Sequence, residues 1–192
     1  MEQVILIHGL PDKEEVLGDV WPSPSNAHWL PWIQKQLAKE DLLSQSLEMP
    51  HSYNPIYTDH CAVLSQMSIS KETILVGHSC GGGFLVRYFS EHKELLPAKI
   101  ILVAPWIDLE GYLKELDPNS NFFDFEIDPS LAIRTELHCI YSTDDDKDIL
   151  ESIKKLQETI PRMVVHKFEN KGHFIDSSLG TKEFPELLDL LK

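Results

Sequence analysis

The chain is poor in cysteine: Cys61, Cys80 and Cys139 are the only three in 192 residues. An odd count at wide spacing offers neither a disulfide framework nor a C-x-x-C metal pair, and a reducing compartment is expected. Positive charge is also scarce. Lys and Arg number 17 against 31 Asp and Glu, a formal net charge of −14. Nucleic acid and anionic membrane both require a basic face, so neither is expected as a partner. No stretch approaches the ~18 apolar residues of a membrane span. The opening M-E-Q-V-I-L-I-H-G lacks the basic flank of a signal peptide, and its apolar run is too short for a signal core. A cytoplasmic protein is expected. Internal repeats and low-complexity tracts are missing as well. The histidines show no H-E-x-x-H or comparable ligand spacing, and the glycine run carries no phosphate-loop lysine. No metal and no cofactor is therefore expected.

What is present suits one globular domain spanning 1–192. Apolar residues make up 42%, enough for a sizeable core. Short continuous apolar runs at Val4–Ile7, Ile74–Val76, Ile100–Val103, Leu137–Tyr141 and Met163–Phe168 predict strands buried on both faces. Ser46–Met49 is added as a short edge strand. Helical periods lie between them: Trp29, Ile33 and Leu37; Tyr57, Cys61 and Leu64; Phe84, Leu85, Tyr88 and Phe89; Ile149, Ile153, Leu156 and Ile160; Phe184, Leu187, Leu188 and Leu191. Strands alternating with helices predict a three-layer α/β/α sandwich with a mostly parallel sheet. The segment from Pro105 to Asp128 breaks the alternation. Its aromatics Trp106, Tyr112, Phe122, Phe123 and Phe125 are either tucked into the core or form a flap over a pocket.

G77-H78-S79-C80-G81 follows a predicted strand and precedes a predicted helix. That is the context of a nucleophile elbow, where glycine two residues to either side of the serine lets the chain turn sharply. A serine hydroxyl needs a base, and the base needs an orienting acid. S142-T143-D144-D145-D146 follows the fourth predicted strand and N170-K171-G172-H173-F174 the fifth, in the order Ser, Asp, His. His173 takes the base role. Among the adjacent aspartates the spacing leaves the acid open, and one of them is expected to cap the next helix. A calcium loop on Asp144, Asp146 and Asp148 fails, because Ile149 and Lys155 occupy the positions that need Gly and Glu. The oxyanion donors are expected to be the N–H groups of Cys80 and Leu10, the latter in H8-G9-L10-P11 after the first strand. His8 and His78 are expected to support turns, and Cys80 is not expected to be the reactive atom.

These residues, with H28-W29-L30-P31-W32, resemble nearly end to end the small single-domain serine hydrolases of the α/β-hydrolase superfamily, the retinoblastoma-binding protein 9 and YdeN-like group. The resemblance implies a compact α/β-hydrolase fold without a large cap domain. It implies Asp145 as the triad acid, with Asp144 still open because D146-K147-D148-I149 departs from the group's proline pattern. The chain has no L-x-C-x-E motif, so a retinoblastoma-type partner is not carried over. The expected activity is a cofactor-free serine hydrolase acting on a small acyl ester, with an amide or peptide as the variant. The rival is a non-catalytic protein-binding module on the same scaffold, whose protein partner the sequence does not name.

Overall fold

The structure, a computed structural model, describes residues 3–192. In chain order the elements are β1 (Gln3–Ile7), α1 (Lys13–Leu17), α2 (Leu30–Lys39), β2 (Leu43–Leu47), α3 (Tyr57–Leu64), β3 (Thr73–His78), α4 (Cys80–Glu91), β4 (Lys99–Val103), α5 (Tyr112–Leu116), α6 (Leu131–Arg134), β5 (Glu136–Ser142), α7 (Lys147–Thr159), β6 (Val164–Phe168), α8 (Asp176–Leu179) and α9 (Pro185–Leu190). The strands form one sheet in the order β2-β1-β3-β4-β5-β6, and every pairing is parallel.

Strand order and handedness together set the layers. Parallel crossovers are right-handed, so connections that travel in opposite directions along the sheet place their helices on opposite faces. The β1-to-β2 step runs one way and carries α2. The β2-to-β3 and β3-to-β4 steps run the other way and carry α3 and α4. Ring contacts bear this out. Trp29 at the start of α2 meets Phe184 at the start of α9, 5.6 Å between centroids. Tyr57 and His60 of α3 meet Phe84 of α4 at 5.9 and 5.4 Å. The result is a compact three-layer α/β-hydrolase fold, and its direction reverses between β1 and β3. Ligands in such sheets bind beyond the carboxyl ends of the strands at that reversal.

Four of the five apolar runs sit where their composition requires, and the fifth is a correction: β6 (Val164–Phe168) is the far edge strand, and its residues are exposed or only partly buried, not covered on both faces. Val4–Ile7 and Ile100–Val103 are buried throughout, as is every residue of β3. The opposite edge strand, β2, is also a correction: it spans Leu43–Leu47 and not Ser46–Met49. L-S-Q-S-L pairs along only one side, so its outer positions stay wet and leave no apolar run to recognise. Met49 instead lies beyond the strand, buried against the core. The 105–128 segment takes the tucked alternative. Trp106 and Phe122 are buried, and Phe123 and Phe125 pack against the core, while Tyr112 is half exposed. Arg87 of α4 holds the segment: its Nη1 donates to the Phe122 carbonyl at 2.9 Å and also to that of Asn121. Its guanidinium lies 3.4 Å over the Tyr57 ring, and its Nε donates to Glu91 at 2.9 Å.

Candidate active site

Ser79 sits between β3 and α4 with φ 53° and ψ −121°, a conformation that side chains rarely tolerate. Its backbone is held on the β4 side. The Ser79 N–H donates to the Val103 carbonyl at 2.9 Å, and the Ser79 carbonyl accepts from Trp106 N–H at 3.1 Å. The neighbouring glycines are required by close approach. A Cβ on Gly77 would lie 2.5 Å from the Gly81 carbonyl oxygen, and one on Gly81 would run into the carbonyls of His8 and Ile7. Gly83 has the Trp106 carbonyl against it in the same way. Seven of the eight described non-glycine residues with positive φ lie in loops at this sheet edge: His28, His51, Ser79, Ala104, Asp108, Asn170 and Phe174. Backbone strain is thus gathered where the candidate groups stand.

The structure sorts the three aspartates. The Asp145 side chain has no exposed surface and accepts the His173 Nδ1 proton at 3.0 Å through Oδ1 and 3.2 Å through Oδ2. Its Oδ1 also accepts the Asp146 N–H at 2.8 Å. Asp144 is exposed and closes the loop: it accepts from the Ser142 hydroxyl and, at 3.3 Å, from the Gly172 N–H. The Ser142 hydrogen bond, chiefly, holds its carboxyl below the usual range. Asp146 occupies the N-cap position of α7 without a side-chain cap hydrogen bond. Gly172, at φ +49°, lets the chain pass Ser178, whose Cβ would be 2.7 Å from any side chain placed there. With Nδ1–H engaged by Asp145, neutral His173 presents an unprotonated Nε2.

Other histidines frame the turn. His78 Nε2 donates to the His173 carbonyl at 2.8 Å. His8 Nε2 accepts the Met49 N–H at 3.0 Å, which leaves the proton on Nδ1 to donate to the Gly9 carbonyl at 2.8 Å. In a trans peptide the carbonyl and the following N–H point in opposite directions. Holding the Gly9 carbonyl therefore turns the Leu10 N–H the other way. Gly9 itself abuts Ser79, with 3.0 Å between its Cβ position and the Ser79 Cβ. The Cys80 N–H is the first of α4 and has no partner within the helix. Burial, then the nearby Asp108 charge, pushes the Cys80 thiol far up, so it stays protonated. Groups of three or more His, Cys, Asp or Glu able to hold a metal are absent among the described residues. No described helix is long and apolar enough to cross a membrane.

Ser79, Cys80, Gly9–Leu10, Asp145 and His173 thus share one sheet edge. Two contacts escaped the sequence. The His78–His173 bond joins positions 95 apart. The pairing of His28 Nδ1 with Asp176 at 3.1 Å spans 148 positions. Neither has a local pattern, although His78 lies inside the elbow motif itself.

Known proteins are similar to this chain in sequence and fold. YdeN of Bacillus subtilis (strain 168), named as a hydrolase, is 27% identical over 195 residues, covering 99% of this chain and 94% of its own length. The crystal structure of the B. subtilis ydeN gene product superposes with a TM-score of 0.78 at 26% identity, over 100% of this chain and 97% of that one. Est1E from Butyrivibrio proteoclasticus shares the fold alone, with a TM-score of 0.66 at 10% identity over 100% and 85% of the two chains. The serine hydrolase family profile matches residues 17–192, nearly the whole chain, and the chain belongs to the serine hydrolase family.

Proposed function

We propose that this serine hydrolase cleaves small acyl esters through an acyl-enzyme built on Ser79, His173 and Asp145. The observation that carries the reading is the buried Asp145 carboxylate on His173 Nδ1, at the edge where Ser79 stands in a strained turn. The Ser79 Oγ attacks the acyl carbonyl while its proton passes to His173 Nε2. Asp145 stabilises the imidazolium. The N–H groups of Leu10 and Cys80 receive the oxyanion, the former turned by the His8–Gly9 bond and the latter at the helix N-terminus. As the intermediate collapses, the leaving alkoxide takes the proton from His173. Water then repeats the sequence on the acyl-enzyme, giving up its proton to His173 and releasing the acid and Ser79. The tucked 105–128 segment, with no large cap among the described residues, favours short or exposed acyl groups.

The test is intact mass after fluorophosphonate treatment, with turnover of p-nitrophenyl acetate and butyrate. One adduct on Ser79 and measurable turnover are expected, and Ser79→Ala should abolish both while leaving the fold intact. A folded protein that stays unlabelled and inert would point to the binding-module alternative.

A further inference from the structure

His78 stands between the two halves of the proposed machinery. It is the last residue of β3, one peptide bond from Ser79. Its ring is buried and turned toward the loop after β6, with Nε2 2.8 Å from the His173 carbonyl oxygen and the two ring centroids 4.9 Å apart. Trp29 and His28 close over it edge-on at 5.8 and 6.3 Å. A carbonyl only accepts, so the proton of this ring is on Nε2.

We infer that His78 is a positioning residue for His173, tying the main chain of the base to the residue that precedes the nucleophile. The inference rests on the Ser79–His173–Asp145 reading of the site. Asp145 holds Nδ1 and so sets the rotation of the His173 ring. It does not set how far that ring stands from Ser79, which the main chain decides. That main chain runs through Asn170, Gly172 and Phe174, all at positive φ, with helix α8 beginning only at Asp176. The His78 bond ties this irregular stretch directly to the elbow. Neutrality is part of the role. A charge on His78 would oppose the proton that His173 must accept, and burial, followed by the charge of the His173 ring, holds His78 well below the usual histidine range against the opposing pull of the His173 carbonyl. The other titratable groups facing it, His28 and His8, also lower it.

The test compares His78→Phe, which keeps a ring without a donor, with His78→Gln, whose carboxamide N–H extends toward the same carbonyl. His78→Phe should lower kcat about 10- to 100-fold with KM within about twofold, as expected for a misplaced reacting group. Fluorophosphonate labelling should slow in proportion, and His78→Gln should recover much of the rate. A folded His78→Phe with wild-type kcat overturns the inference. So does a Gln variant no better than Phe, which would mean that the ring only fills space. Nitrogen-15 histidine spectra of the wild-type protein need no variant: an Nε2–H tautomer at His78 that stays neutral through the ordinary histidine range is expected, and titration near the ordinary pKa of about 6.5 refutes it. A wild-type protein unlabelled at Ser79 sinks the triad and this inference together; a labelled wild type with an unaffected Phe variant sinks this inference alone.

Discussion

Replacing Asp145 with asparagine tests the site at its most buried charge. The carboxylate has no exposed surface, and both of its oxygens lie within 3.2 Å of His173 Nδ1. Asparagine has nearly the same shape, so the fold should survive. Its carboxamide can turn an N–H toward Nδ1, which moves the imidazole proton to Nε2. Nε2 then cannot accept the Ser79 proton, and the imidazolium loses its counter-charge. A loss of about 10³- to 10⁴-fold in kcat is expected, or roughly 4–5.5 kcal/mol of transition-state stabilisation. Asp144→Asn is the control. Asp144 is exposed and accepts loop hydrogen bonds from Ser142 through Oδ1 and Gly172 through Oδ2; an asparagine oxygen keeps the Gly172 bond, and its N–H group can donate to the Ser142 hydroxyl in place of the other. Its effect on kcat should stay within about fivefold, since an exposed side chain that touches neither Ser79 nor His173 changes little when its loop contacts are largely kept. The assay is steady-state hydrolysis of p-nitrophenyl acetate, with circular dichroism to confirm folding. A larger loss in Asp144→Asn than in Asp145→Asn would refute the reasoning and move the acid to Asp144.

Other consequences follow from packing and titration. Gly81→Ala drives a methyl against the His8 and Ile7 carbonyls and should cost about 1–3 kcal/mol in denaturant unfolding; an unchanged midpoint would show that the elbow can relax. Arg87→Met leaves the Asn121 and Phe122 carbonyls without their donor and should cost about 2–3 kcal/mol while exposing residues 105–128 to limited proteolysis; an unaltered digestion pattern would count against Arg87 as the clasp. Acid should destabilise the protein well before its carboxylates titrate. Burial, followed by His8, lowers the His60 pKa to about 4 from an unfolded value of 6.5, so between these pH values the unfolded chain binds a proton that the folded one refuses. Its stabilising contribution is complete above about pH 6.5 and falls away toward pH 4, by about 3 kcal/mol in all. Unfolding free energies measured between those limits should fall less steeply in His60→Phe, and equal slopes would contradict the assignment.

The central architecture was legible because strands covered on both faces must be continuously apolar. Val4–Ile7 and Ile100–Val103 had no polar residue to disguise them. Edge strand β2 was misplaced because half of its surface is wet and its sequence reads as a loop. The short helices α1, α5, α6 and α8 span four or five residues, too few for a period, and contacts from elsewhere in the chain decide them. α5 depends on Asp108, whose carboxylate accepts the N–H groups of Tyr112 and Leu113 at 2.6 and 2.9 Å. The strained turn at Ser79 and the order in which Ser79, the aspartates and His173 reach this sheet edge were visible because glycine spacing and chain order are sequence properties. The spacing could not separate Asp144, Asp145 and Asp146, which share one chemistry. Only burial and direction distinguish them, and both belong to the folded loop.

The placement of the elbow on the most buried strand also couples stability to the site. The glycines that open α4 each cost about 1 kcal/mol relative to alanine in a helix, roughly 3 kcal/mol together. Ser79 adds the cost of its positive φ. The second half of the same helix offsets this. Phe84, Leu85, Val86, Tyr88 and Phe89 are all buried, each worth about 1.5–3 kcal/mol. The elbow cannot relax into an ordinary turn without pulling this helix from the core, so its geometry holds even though its local preference is poor. Two kinds of variant should therefore separate cleanly. Gly81→Ala, which acts through the backbone, should lower stability and kcat together. Asp145→Asn, which acts through a proton, should lower kcat while leaving the unfolding midpoint nearly in place. If stability and activity moved in step in both, the site would be failing through the fold, and the assigned roles of Asp145 and His173 would lose their support.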